Sequence, residues 1–180
     1  MSRLVTPTVE TSPAASHPLL AAVNKQLGVV PNMMKLMSSS PAGLEGYLSL
    51  SGALAKGKIG GQTGERIALA IAEFNRCDYC LSAHTYLGTN LAKLDATEIA
   101  ANRTGTSADA KANAAIKFAL TVAKERGHVS ADALAAVKAA GFGDAEVIEI
   151  VMHVALNTLT NYVNSVGQTD IDFPVVTAHA

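Results

Sequence analysis

The chain has 180 residues, 49% hydrophobic and only 4% aromatic, with 14 basic and 15 acidic side chains and a formal net charge of −1. That length suits one domain with a core large enough to fold unaided. The balanced charge, with no basic run, argues against a nucleic-acid partner. No uninterrupted apolar stretch is long enough for a membrane helix. The N-terminal MSRLVTPTVETSPAASHP has no continuous apolar segment, so no signal peptide is expected and the protein reads as cytoplasmic. The alanine-rich composition favours closely packed helices. So high a hydrophobic share leaves apolar surface for self-association.

In chain order, residues 1–15 are rich in Thr, Pro and Ser and read as an extended arm; residues 16–180 read as one all-α domain. Ser16 is placed to cap a helix reaching Leu27, stopped by Gly28 and Pro31. A short helix over 31–38 carries Met33, Met34 and Met37, which suit core filling better than a ligand surface. Pro41 fits the first turn of the next helix, which ends at Gly57, Gly60 and Gly61. The GKIGG segment there reads as a turn and lacks the ending of a phosphate loop. Thr63 is the expected cap of the following helix, which would put Glu65 in its first turn. That helix is apolar nearly all round over 67–72 and so is expected to be buried.

Gly88 reads as a helix stop. Asp95 and Glu98 have the spacing of a capping box, for a helix ending near Gly105. Ser107 is the expected cap of a long helix to Arg126, closed by Gly127. Ser130 caps another to Ala140, and Asp144 begins the last, over about 145–166. No period-two strand is expected except near Val175. The last helix carries His153, Asn157, Asn161 and Asn164, a polar stripe on an apolar helix. It reads as a hydrogen-bonded contact or as a supporting layer for a site elsewhere. His17 and His128 suit caps or loops, His179 lies near an end expected to be disordered, and 171–174 form an arm packed on the body.

The chemistry concentrates in ERIALAIAEFNRCDYCLSAH, residues 65–84, which holds the only two cysteines, Cys77 and Cys80. Residues three apart on a helix are neighbours, so both sulfurs and His84 would share one face. If Cys77 begins that helix, the orphan amides and the dipole lower its thiol pKa. In one unbroken helix Glu65 would lie roughly 18 Å from Cys77. To serve the thiols, either the chain must break and fold back, with Asn75-Arg76 the expected break, or a second subunit must supply the acid. Read blandly, Glu65 is a surface acid complementing a helix dipole.

The pattern Glu, twelve residues, Cys-x-x-Cys-x-x-x-His resembles the alkylhydroperoxidase D family within the carboxymuconolactone decarboxylase superfamily, over about residues 42–126. Asn75-Arg76-Cys77-Asp78-Tyr79-Cys80 and Thr169-Asp170-Ile171-Asp172-Phe173-Pro174 resemble its peroxidase-related branch. The resemblance implies an AhpD-like helical bundle that forms a dimer, trimer or hexamer. It implies that Cys80 attacks the peroxide, that Cys77 resolves it as a disulfide, and that Glu65 and His84 relay protons. Tyr79 stands where the best-studied members carry a second histidine, and a phenol titrating near 10 cannot shuttle protons at neutral pH. Tyr79, His153 and Asn157 are possible supporting residues. The implied partners are a small peroxide and an external dithiol or protein reductant, with no bound cofactor and no metal. Three other readings stay open at this point. Cys77, Cys80 and His84 with a fourth ligand could bind zinc. The scaffold could serve a lactone decarboxylase, or the thiol pair could bias an assembly interface.

Overall fold

Helix α4, Gly60–Phe74, is the element on which four other helices are laid. Its residues 67–72 are all buried, so it needs neighbours on every side. The computed structural model describes residues 2–179. A 3-10 turn, Ala14–Ser16, is followed by α1 (His17–Leu27), α2 (Asn32–Met37) and α3 (Pro41–Leu54). After α4 come α5 (Asp78–Asn90), α6 (Ala96–Arg103), α7 (Ala110–Lys124), α8 (Ala131–Ala139) and α9 (Asp144–Gly167). No strand occurs among the described residues, at Val175 or elsewhere. Helices α5, α6, α7 and α9 pack directly on α4. No helix among them is long and apolar enough to cross a membrane.

Beside a small cluster of Leu69, Leu94 and Ile99, two large apolar clusters result. One joins α4, α7, α8 and α9 through Ile67, Ile71, Phe118, Val137 and Ile150. The other gathers Leu20, Val23, Met33, Met34, Met37 and Leu44 from the first three helices around Cys77, Cys80 and Leu81. The methionines are core, as their spacing suggests, and the core they fill is the one holding both sulfurs.

Several helix ends differ from the sequence expectation. Ser16 caps nothing; its Oγ donates instead to the carbonyl of Ser38, 2.7 Å away, tying α1 to α2. Helix α4 begins at Gly60 rather than after Thr63, so part of the expected GKIGG turn is helical and Glu65 lies beyond the first turn. Gly88 does not stop α5. It is buried against Leu94 and Ile99, and this packing outweighs the helix penalty of glycine. Asp109, not Ser107, caps α7, its carboxylate accepting from Ala112 N at 2.7 Å. Asp95 and Ser130 cap as expected. The tail after α9 is extended and packed on the body, and it includes His179, whose N–H donates to Glu73 at 2.6 Å.

Candidate active site

The turn between α4 and α5 makes the site. Arg76 adopts the left-handed conformation, φ 54°. Its N–H donates to the Glu73 carbonyl, and Cys77 N–H donates to that of Ala72. This is a Schellman closure with arginine in place of the usual glycine. The break falls where expected, but the left-handed residue is Arg76 rather than Asn75. The chain reverses there, and α5 runs back along α4. Glu65 stands ten residues before Asn75 and His84 nine after it, so the hairpin brings them level. Glu65 Oε2 lies 2.8 Å from His84 Nδ1, with both side chains partly exposed at 24% and 20%. The acid therefore reaches the site within one chain.

Cys77 is the N-cap of α5, not a residue on its helical face. Its Sγ accepts from Cys80 N at 3.4 Å, as a serine cap would. The two sulfurs are neighbours, as their three-residue spacing predicts, but the expectation that the helix start lowers the Cys77 pKa is corrected. The Cys77 thiol hydrogen-bonds the Cys80 sulfur, and this, with burial, pushes the Cys77 pKa up. The same hydrogen bond is the largest influence lowering Cys80, to about 6. It is opposed by burial and reinforced by His84 and by the amides of Asn164 and Asn161. The surroundings favour the thiolate on Cys80 over that on Cys77, and both thiols are free and only 2–3% exposed. Burial disfavours the charged imidazole of His84, yet the Glu65 carboxylate and the Cys80 thiolate together raise its pKa. A cavity of about 380 Å³ opens beside Glu65, between it, Gln62, Leu91 and Lys93.

Tyr79 is bonded away from the Glu65–His84 pair. Its hydroxyl donates to Asp172 Oδ1 at 2.8 Å and accepts from Met33 N at 3.1 Å. Its ring meets Phe173 edge-on. Burial and the Asp172 carboxylate push its pKa up. Asp172 also accepts from Asn32 N, so Tyr79 locks the tail onto the start of α2.

On α9, His153 packs against the bare backbone of Gly64, beside Glu65, and has no hydrogen bond to the thiol site. Burial lowers its pKa. Asn157 donates to the His153 carbonyl and does not reach the sulfurs either. Of the stripe's other two members, Asn164 Nδ2 donates to Cys80 Sγ at 3.3 Å, while Asn161 Oδ1 accepts from Asn75 Nδ2 at the turn, 2.8 Å away. Sequence spacing marked the stripe but pointed to the wrong half of it. Tyr47 of α3 went unnoticed. It packs on the cluster holding both cysteines. Burial, followed by the charges of Cys80 and Glu65, raises its pKa to about 12. Among the described residues no group of three or more His, Cys, Asp or Glu side chains is arranged to hold a metal ion, so the zinc reading finds no donor set.

The model of the carboxymuconolactone decarboxylase family matches residues 41–125, which span the whole α4–α5 hairpin. Among solved structures, a peroxidase-related protein from Ralstonia eutropha JMP134, described as an alkylhydroperoxidase AhpD core, superposes with a TM-score of 0.83 at 24% identity, over 95% of this chain and 92% of that one. A peroxidase-related protein from Silicibacter sp. TM1040 gives 0.81 at 21% identity, over 94% and 91%. The debrominase Bmp8, as a cysteine-to-alanine variant in complex with 2,3,4-tribromopyrrole, gives 0.78 at 21%, over 96% and 93%. No curated protein matches the chain in sequence.

Proposed function

We propose, from the match of the carboxymuconolactone decarboxylase family model to residues 41–125 and from the AhpD-like fold, that this chain is a member of that family and a thiol-dependent peroxidase acting through a redox-active Cys77–Cys80 pair. One observation carries the reading. The sulfur with the depressed pKa, Cys80, lies between a protonated thiol and a Glu65–His84 pair that keeps a proton available.

The Cys80 thiolate attacks the outer oxygen of a small peroxide. The S–O bond forms as O–O breaks, and sulfur loses two electrons. The departing alkoxide takes a proton from His84, whose charged form Glu65 favours. The Cys77 thiol then attacks the Cys80 sulfenic acid, water leaves, and a disulfide closes. An external dithiol reduces it, so the protein needs a reducing partner but no bound cofactor. Tyr79 plays no part in proton transfer, since its hydroxyl is committed to Asp172. The exposed apolar residues of α9, Ile148, Leu159, Tyr162 and Val166, support self-association, which solution mass determination tests.

The test is steady-state peroxide reduction with a dithiol donor. Cys80→Ser is expected to abolish turnover. Cys77→Ser is expected to stop after one equivalent of peroxide, with a sulfenic acid on Cys80. Unchanged turnover in both variants would falsify the proposal.

A second reading is supported by the likeness to Bmp8 and by the apolar, methionine-lined setting of the sulfurs. Here the thiolate takes bromine from a brominated aromatic ring, the ring carbanion takes the proton from His84, and Cys77 displaces bromide. Bromide release from a bromopyrrole, compared with peroxide turnover at equal enzyme, separates the two.

A further inference from the structure

The reaction proposed above leaves two buried amides of α9 unused. Asn164, 3% exposed, donates Nδ2 to Cys80 Sγ at 3.3 Å. Asn161 is fully buried. Its Oδ1 accepts from Asn75 Nδ2 at 2.8 Å, which fixes the amide and leaves Nδ2 without a partner. An unpaired buried donor is costly, so a stable fold that keeps one calls for an explanation.

The explanation lies in what faces the sulfur. Cys77, Tyr79 and His84 face it from the turn and α5, Tyr47 from α3, and Glu65 from α4 through His84. From α9 the sulfur meets no charge, only the two amide dipoles. An amide does not titrate, and its N–H favours whichever neighbouring atom carries negative charge. Asn164 lowers the Cys80 pKa through its hydrogen bond, and Asn161 Nδ2 stands near enough to the sulfur to add to that effect without forming a well-aligned bond of its own.

We infer that Asn161 and Asn164 form a two-amide cradle at Cys80, in which Asn164 holds the sulfur anion before reaction and the open Asn161 Nδ2 receives the oxygen that the sulfur gains. The first role is independent of the substrate. The second rests on the peroxidase reading. As S–O forms and O–O breaks, sulfur is oxidised and the acquired oxygen becomes an acceptor where none stood before. An N–H already in place and unpaired can bond it without breaking another contact. When Cys77 attacks, that oxygen leaves as water and the donor is free again.

The experiment uses the Cys77→Ser background, because serine keeps the cap and a hydroxyl donor while leaving one thiol. Alkylation by iodoacetamide is followed against pH. Asn164→Leu is expected to raise the midpoint by about one unit, roughly a tenfold loss of thiolate on the acid side. Asn164→Ser, which restores a donor, recovers part of that shift and serves should the leucine variant not fold. Asn161→Leu is expected to move the midpoint less, but to slow sulfenic acid formation by peroxide about tenfold beyond the loss of thiolate. Unchanged midpoints in Asn164→Leu and Asn164→Ser overturn the cradle. An Asn161→Leu rate that tracks thiolate alone overturns the oxygen role. If the background protein is inert to peroxide yet its midpoint shifts as expected, the peroxidase reading falls and the thiolate cradle stands.

Discussion

Glu65 and Glu98 are two carboxylates in the same few layers of helix, and they are bonded in opposite ways. Glu98 on α6 accepts from Arg66 Nε at 2.8 Å, Asn102 Nδ2 at 2.9 Å, Ala108 N at 3.1 Å and the Ser107 hydroxyl. Glu65 has one side-chain partner, His84, and borders a cavity. The adjacent residues Glu65 and Arg66 thus serve different centres, one at the thiols and the other at Glu98. Apart from the Asn102 bond, which lies within α6, each bond at Glu98 ties one segment of chain to another, so its charge is used in holding α4, α6 and the loop before α7 together. The Glu65 carboxylate keeps spare acceptor capacity next to a titrating ring. A saturated acid fastens structure, whereas an unsaturated one beside a reactive sulfur is available for proton transfer.

The sharpest way to break this contrast is to exchange the consequences of removing each acid. Glu98→Ala leaves Arg66 and three other donors without their acceptor, and should destabilise the fold by about 3 kcal/mol or more. Its activity per folded molecule should stay near that of the parent. Chemical denaturation and turnover on the same samples check both. Glu65→Gln should do the reverse: turnover falls about a hundredfold, as expected for loss of a general acid–base partner, with stability changed by less than about 1 kcal/mol. A Glu65→Gln protein as unstable as Glu98→Ala would erase the distinction.

Acid sharpens it further. Burial opposes the charge on Glu98, but its hydrogen bonds win and bring the pKa to about 2 from an ordinary 4.5. A depressed carboxylate stabilises the fold above its unfolded pKa, and that stability drains away as pH falls from about 4.5 towards 2. The size is roughly 3 kcal/mol, and Glu98→Gln should flatten this part of an acid denaturation curve. Activity should fail at higher pH, with kcat/KM for peroxide dropping as Cys80 protonates near 6, while the fold is still intact. The smallest effect expected is that of Tyr79→Phe. It removes one bond to Asp172 and one to Met33 N, costs about 1–2 kcal/mol, and barely touches turnover.

What could be read from the sequence was local. The helical class and the break before Cys77 follow from periodicity and turn chemistry, whereas the pairing of Glu65 with His84 comes from the family resemblance. Helix caps were legible at Asp95 and Ser130, but not at Ser16, whose hydroxyl turns to the Ser38 carbonyl, nor where Ser107 and Asp109 competed. In that case Glu98, nine residues away, claims the serine hydroxyl and leaves the aspartate to cap. Gly88 was misjudged because backbone propensity says nothing of Leu94 and Ile99 pressing on that face. The thiol site's remaining partners come from far along the chain. Asn164 approaches Cys80 across 84 residues, and Asp172 approaches Tyr79 across 93. The polar stripe on α9 was visible, but which of its members meets the sulfur depends on how α9 crosses α4 and α5.

The assignment of the attacking sulfur is tested most directly by trapping the sulfenic acid with a dimedone-type reagent after one equivalent of peroxide, with the modified residue located by mass spectrometry. The Glu65–His84 site beside a low-pKa Cys80 predicts adduct on Cys80 in the Cys77→Ser protein and none on Cys77 in the Cys80→Ser protein. Adduct on Cys77, or on neither sulfur, would contradict it.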